Sequence, residues 1–265
     1  MRMTGWGILS VLWAATSHAA TPLQVAVDDY CPYYCKADIP GEERLADQPG
    51  FVIEILQHAF GGGPDDINYH FLPWKRSILE LTQGRLDAIV MVTPKEQPEL
   101  IYPSIEQGRS QGCYYSKINN PWRYTGPASL KQQRLTLISE YYYGEPLDSY
   151  QQTPDAEQQI SYISGNHASL RILQMIDRAR TDVTSEDSLV ATHLLRSAGL
   201  TEKIKTAGCD PGHLDFYVGF APTVAESNAR AKRLSETMAT LRSSGELKKI
   251  LARYGLSDWR QADAP

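Results

Sequence analysis

The chain has 265 residues and a formal net charge of −5 at pH 7, with 26 Lys and Arg residues against 31 Asp and Glu residues. Because it is mildly acidic and has no basic run, nucleic acid is disfavoured as a partner. A chain of this length can bury one large core or the cores of two smaller lobes.

The first twenty residues have the pattern of a secretory signal peptide. Arg2 gives a positive start, residues 6–15 form an apolar stretch too short to span a bilayer, and residues 17–19 read Ser-His-Ala. We therefore expect a signal peptide at 1–19, a mature chain that begins at Ala20, and a periplasmic location. The alternative is a membrane anchor, but no longer apolar run follows. No Cys lies at the cleavage site, so a lipid anchor is not expected.

Four cysteines in an exported chain predict two disulfides, for which three pairings exist. They are Cys31, Cys35, Cys113 and Cys209. A zinc site built from the four is the weaker alternative, because paired C-x2-C motifs are absent.

Residues 23–92 alternate between strand and helix patterns. Strands are predicted at 23–27, 67–72 and 87–92. Helices are predicted at 50–60, which a run of three glycines ends, and at 77–82, which Ser77 caps after a loop at 73–76. This alternation is typical of an α/β domain with a parallel sheet.

A polar, glycine-bearing stretch at 106–112 indicates a lobe boundary, and the same plan then restarts. The further predicted strands are at 113–115, 135–138, 160–163 and 217–222, with helices at 168–178, 234–241 and 247–254. Two similar α/β lobes are therefore expected.

Three stretches carry a resemblance to a known family: Gly50-Phe-Val-Ile-Glu54, Ser77 to Ala88 with its Gln-Gly-Arg-Leu-Asp-Ala, and Leu241 to Gly255. In their order and spacing, the chain from Leu23 to Trp259 resembles the bacterial solute-binding proteins of family 3. These are the type II periplasmic receptors that feed amino-acid ABC transporters.

The resemblance implies a two-lobed α/β fold with two hinge crossings. Lobe one comprises residues 20–105 and 215–265, and lobe two comprises residues 106–214. In this fold the crossings run side by side, so Cys113 and Cys209 are expected to meet within disulfide distance. Cys31 and Cys35 then pair across their own loop.

Family members that bind amino acids hold the α-carboxylate with an Arg after the third strand, because a guanidinium donates in a bidentate manner. Here Thr93 keeps the family's hydroxyl, but Glu96 occupies the Arg position, next to Lys95. This departure argues against an ordinary amino-acid ligand. Arg76 and Lys95 are the candidates to replace that Arg. The alternative role for Arg76 is a surface ion pair, and the alternative for Lys95 is a solvated side chain.

The family's ammonium-binding Asp corresponds to Asp187, which follows an Arg-x-Asp turn at 180–182. A helix N-cap is the alternative role, since Asp before an apolar periodic run commonly caps a helix. We predict that Arg76 anchors the ligand from lobe one and that Asp187 does so from lobe two.

Aromatic residues are dense at three predicted cleft loops. The candidate ligand contacts are Tyr30, beside Tyr33 and Tyr34; Trp74; and Tyr142, within the run 141–143. Such rings suit a flat ligand, or a cation over a ring face.

No convincing catalytic set is present, because the six His form no H-E-x-x-H motif and no Gly-x-Ser-x-Gly occurs. We therefore expect a monomeric, non-enzymatic receptor without metal or cofactor, which captures a small polar ligand, amino-acid-like or with an aromatic or cationic portion. Its partner is expected to be an ABC transporter permease or a membrane sensor. The alternative is an enzyme on the same scaffold, a cyclohexadienyl dehydratase with Glu96, Glu140 or Glu186 as its acid.

Overall fold

The computed structural model describes residues 21–28, 30–37, 45–61, 66–139, 141–165 and 167–262. The expected signal peptide and Glu140 lie outside these ranges. Among the helices within them, none is both long and apolar enough to cross a membrane.

Over these residues the chain forms alternating strands and helices, as the sequence predicted. The strands are β1 (Leu23–Val27), β2 (Ile67–Phe71), β3 (Ala88–Val92), β4 (Gly108–Ser110), β5 (Gly112–Lys117), β6 (Leu135–Ile138), β7 (Ile160–Ile163), β8 (Val183–Asp187), β9 (Ile204–Cys209) and β10 (Leu214–Phe220). The helices are α1 (Phe51–Phe60), α2 (Trp74–Thr82), α3 (Glu145–Gln151), α4 (Pro154–Gln159), α5 (Ala168–Asp177), α6 (Ser188–Ser197), α7 (Ser227–Ser243), α8 (Glu246–Arg253) and α9 (Trp259–Ala262).

The strands form two separate five-stranded sheets of the same design. The first has the order β2-β1-β3-β10-β4, with β1 parallel to β2 and β3, and β10 antiparallel to β3 and β4. The second has the order β7-β6-β8-β5-β9, with β6 parallel to β7 and β8, and β5 antiparallel to β8 and β9. The expected division into two α/β lobes is confirmed, and lobe one and lobe two are named here for these two sheets.

Each lobe has its own apolar core. Every residue of β3 is buried, as expected of a strand with helices over both faces. The core of lobe one joins β1 and β3 to α1, α7 and α8. In lobe two, Tyr114 and Val183 pack among leucines on one side of the sheet, and Tyr115 packs against α5 and α6 on the other.

The chain passes between the sheets twice, between Ser110 and Gly112 and again between Cys209 and Leu214. The expected lobe boundary at residue 105 lies a few residues before the first of these points, because β4 still pairs with β10 of lobe one.

Helix α2 begins earlier than the sequence predicted. Residues 74–76 form its first turn after Pro73, so the expected loop at 73–76 and the Ser77 cap are wrong. Ser77 is buried within the helix, and its hydroxyl lies 3.3 and 3.4 Å from the carbonyl oxygens of Leu72 and Pro73, to either of which it can donate. A serine whose hydroxyl bonds to a carbonyl of the preceding turn is compatible with a helix interior. Serine is also a common N-cap residue, which explains why the sequence predicted a cap here.

Both predicted disulfides are present. Cys113 and Cys209 lie opposite each other on β5 and β9, with their Cα atoms 3.9 Å apart. Cys31 and Cys35 close the turn that follows β1, with their Cα atoms 4.5 Å apart.

Candidate functional site

The loops at the carboxyl ends of the parallel strands in the two lobes contact each other. Such ends are where open α/β sheets place ligands. The Tyr30 hydroxyl, after β1, donates a hydrogen bond of 3.0 Å to Glu186 Oε1, near the end of β8. Lys95, after β3, forms an ion pair with Glu145, at the start of α3 beyond β6. The region between these two contacts is called the cleft below.

The turn after β1 supplies two tyrosines to the lobe boundary. Tyr33 is fully buried, and its hydroxyl lies 2.9 Å from both the Arg109 carbonyl oxygen and Asp187 Oδ2. The Tyr30 ring stacks on it, with 5.7 Å between ring centroids. The backbone of this turn lies so close to Gly50 (φ 101°) that a Cβ there would be 2.4 Å from the Tyr33 carbonyl oxygen. Glycine is therefore required at that position.

Asp187 has the N-cap geometry that the sequence left as an alternative. Its Oδ1 accepts the backbone N–H groups of Leu189 and Val190 at 2.7 and 2.9 Å. Its Oδ2 accepts the hydroxyls of Tyr33 and Ser110. Both oxygens are thus engaged by protein donors in a side chain that is only 5% exposed.

Glu186 is the neighbouring buried carboxyl, at 6% exposure. It accepts the Tyr30 hydroxyl, its neighbour's backbone N–H at 2.8 Å, and the hydroxyl of Ser169. Burial raises the pKa of Glu186 to about 7 and also raises the pKa of Asp187. In the described part of the chain, none of the groups that bond to these two carboxyls is a Lys, Arg or His side chain.

Arg76 lies on the first turn of α2, with its side chain 66% exposed and its Nε 3.3 Å from Glu80. This contact is the surface ion pair that the sequence left as its alternative. Trp74, at the start of the same helix, is half-buried against the apolar cluster that contains Leu81 and Leu86 of lobe one.

The loop after β3 places Thr93 and Lys95 differently. Thr93 is buried, and its hydroxyl accepts the Glu96 backbone N–H at 3.2 Å, which closes the turn. Lys95 reaches lobe two, where it contacts Tyr142 as well as Glu145. Burial raises the pKa of Glu96 to about 7. The structure therefore brings Lys95 and Tyr142 together, whereas Arg76 and Asp187 have other partners.

Two residues of the cleft were not selected from the sequence as ligand contacts. Tyr33 was visible only as one of several tyrosines, and Glu186 only as an alternative acid for catalysis. In the sequence, Glu186 can be recognised as a carboxyl residue at the end of a strand suited to burial, immediately before an Asp that caps a helix. Tyr143, by contrast, is a packing residue whose hydroxyl accepts the Ile138 N–H at 2.7 Å.

Among the residues that the structure describes, no group of three or more His, Cys, Asp or Glu could hold a metal ion.

Comparisons with known proteins identify the fold. No family model matches the sequence, and no curated protein is significantly similar to it.

The arginine-bound substrate-binding protein AbpA of Streptococcus pneumoniae superposes with a TM-score of 0.68 at 14% identity, over 88% of this chain and 94% of that one. The arginine-, lysine-, histidine-binding protein ArtJ of Geobacillus stearothermophilus gives 0.69 at 13% identity, over 90% and 97%. A histidine kinase sensor domain gives 0.70 at 16% identity, over 88% and 95%. The chain therefore has the two-lobed fold of the type II periplasmic binding proteins, as the sequence resemblance predicted.

Proposed function

We propose that this chain is a periplasmic solute-binding protein that holds a small polar ligand between its lobes and performs no chemistry on it. The observation that supports this most directly is the meeting of Tyr30 and Glu186 across the cleft. A hinged receptor of this fold closes by bringing such strand ends face to face.

The charge of the cleft favours a ligand with a cationic portion. Glu186 and Asp187 are buried side by side, with hydroxyl and backbone N–H donors around them. A buried carboxylate without a cation is costly, and a ligand amine or guanidinium would offset that cost. The tyrosine rings nearby suit either a cation over a ring face or a flat ligand body.

The same geometry suggests that a carboxylate of the ligand contributes less to binding than its cationic portion. Glu96 stands where family members have their Arg, and Lys95 is already paired with Glu145. Arg76 remains our proposed anchor from lobe one, because its side chain is 66% exposed and Glu80 has a second partner in Arg85, so a ligand can displace Glu80 from Arg76.

The membrane partner is an ABC transporter permease or a membrane sensor, and we expect the receptor to be a monomer. Both kinds of partner are consistent with the fold, which occurs in ABC substrate-binding proteins and in a kinase sensor domain.

Calorimetry on the mature chain, from Ala20 onward, tests the proposal with agmatine, tyramine, L-arginine, L-tyrosine and L-glutamate. We expect binding of compounds with a cation and little or none of L-glutamate. Binding of no small molecule in a wider panel of amines, opines and aromatic acids would overturn the receptor function. Turnover of a cyclohexadienyl dicarboxylate would instead establish the enzyme alternative.

A further inference from the structure

We propose that the Cys31–Cys35 disulfide is a positioning element of the cleft, holding Tyr30 where its hydroxyl joins lobe one to Glu186 of lobe two. The inference rests on the proposed function in one respect, namely that the cleft closes around a ligand.

The disulfide closes a turn on which the backbone of Tyr30 depends. The Tyr30 N–H donates to the Tyr34 carbonyl at 3.0 Å, and the Tyr30 carbonyl accepts the N–H groups of Tyr33 and Tyr34 at 3.0 and 3.3 Å. Each of these backbone hydrogen bonds joins Tyr30, the residue before Cys31, to Tyr33 or Tyr34 in the loop that the disulfide closes. The position of Tyr30 is therefore set by this turn and by the contacts of its side chain.

The two tyrosines of the turn are not held equally. Tyr33 is fully buried, packs on Phe51 with 5.0 Å between ring centroids, and has its hydroxyl within hydrogen-bond distance of two acceptors, the Arg109 carbonyl oxygen and Asp187 Oδ2. Tyr30 is only half-buried, and its ring stacks on Tyr33. Tyr33 is held by more extensive packing than Tyr30, so we expect the position of Tyr30 to depend more on the closed turn.

The contrast with the second disulfide supports a local role. Cys31 and Cys35 are 4 residues apart in sequence, and Cys113 and Cys209 are 96 apart. A cross-link that closes a short loop restricts the unfolded chain less than one that closes a long loop. The short one is therefore expected to stabilise the whole fold less, and its main effect is on the geometry of its own turn.

Loss of the disulfide should consequently weaken the contact between the lobes more than it weakens either lobe. The free Tyr30 side chain would leave Glu186 with one donor fewer. The backbone N–H of Asp187, which donates to the Glu186 carboxyl, would then be less protected.

Hydrogen exchange measured by mass spectrometry tests this without any ligand, so its outcome is independent of whether the proposed function holds. We compare the parent with C31S/C35S and with the matched control C113S/C209S. In C31S/C35S, amides of residues 28–36 and of residues 183–190 should exchange roughly two- to tenfold faster. In the control, faster exchange should include β5, β9 and β8, because β8 pairs with β5 and places Glu186 opposite Cys113, whereas residues 28–36 should exchange at the rate of the parent.

The variant Y30F distinguishes loss of the contact between Tyr30 and Glu186 from a general loosening of the protein. It should reproduce the faster exchange at 183–190, and adding it to C31S/C35S should produce no further increase there, because both changes remove the same contact. Should C31S/C35S not fold, C113S/C209S measured before and after reduction with dithiothreitol replaces that comparison, because Cys31–Cys35 is then the one disulfide left to reduce. Unchanged exchange at 183–190 without the Cys31–Cys35 bond, or additive effects of Y30F, would show that the disulfide does not position Tyr30.

Discussion

The hydroxyl of Tyr33 in lobe one lies 2.9 Å from Oδ2 of Asp187 in lobe two, and both side chains are buried. The other oxygen of Asp187 caps helix α6. The same hydroxyl also lies 2.9 Å from the carbonyl oxygen of Arg109, on β4 next to the first crossing. A single side chain thus links the turn after β1, the hinge and the helix cap of lobe two.

This link predicts that Tyr33→Phe lowers the free energy of unfolding by about 1–3 kcal/mol, because it leaves a buried carboxylate with one donor fewer. Urea denaturation followed by circular dichroism measures the loss. The matched control is Tyr162→Phe, which removes an exposed hydroxyl that bonds to Gln151 at 2.9 Å and should change stability by less than about 0.5 kcal/mol. Equal losses in the two variants would contradict the role of Tyr33.

Asp187→Ala should be strongly destabilising. Its carboxylate accepts hydrogen bonds from four protein donors, two of them in the first turn of α6. The loss should be about 2–5 kcal/mol, and thermal unfolding of the ligand-free protein measures it. A melting temperature equal to that of the parent would show that the carboxylate is not structurally required.

Arg76→Ala should behave in the opposite way. Its side chain is 66% exposed and Glu80 keeps Arg85 as a partner, so stability should change by less than about 0.5 kcal/mol. If Arg76 leaves Glu80 to anchor a ligand, calorimetry should show binding of the best compound of the panel weakened by more than about tenfold. Unchanged affinity would move the lobe-one anchor to Lys95, which Lys95→Ala tests in the same assay.

The architecture could be predicted from the sequence because its signals are local. The alternation of strands and helices can be predicted from the spacing of the apolar residues alone. Strand β3 is recognisable in the sequence because all of its residues are apolar. The disulfide pairing also followed, once the resemblance implied that the two crossings run side by side. The start of α2 was missed because a Ser that bonds backward within a helix looks like a cap in sequence.

The cleft was harder to predict because partners there are set by side-chain direction and not by position along the chain. Arg76 and Asp187 both follow strand ends, as expected, but one turns to Glu80 and the other to the cap of α6. Glu186 precedes that cap by one residue, so it leaves β8 on the opposite side and meets Tyr30. Which partner each of two adjacent side chains meets is decided by how the two lobes pack against each other.

Stability should fall as the pH rises through the range in which Glu186 loses its proton. Its pKa is raised to about 7 in the folded protein from 4.5, so the folded state binds more protons between these values. The contribution is present at low pH and is lost progressively between about pH 4.5 and pH 7, by on the order of 3 kcal/mol. The raised pKa of Asp187 acts in the same direction.

Urea denaturation of the parent and of Glu186→Gln at several pH values measures this contribution. Since Gln cannot ionise, the variant should show a shallower decline and should be the more stable protein above about pH 7. Glu96→Gln provides a comparison, because burial raises the pKa of that carboxyl to about 7 as well. A decline in Glu186→Gln as steep as that of the parent would show that Glu186 is not the titrating group.

Affinity for a cationic ligand should depend on pH in the opposite sense, and this distinguishes a ligand contact from a merely buried carboxyl. A proton and a ligand cation compete for Glu186, so binding should weaken by about tenfold for each pH unit below about 7 and level off above it. Calorimetry with agmatine, from about pH 5 to about pH 9, measures this on the parent and on Glu186→Gln, in which the slope should disappear. Glu246→Gln, which removes a carboxylate paired with Lys249 on α8, should keep the slope of the parent. Affinity that does not vary with pH in the parent, or that varies equally in Glu186→Gln, would place the ligand cation elsewhere in the cleft.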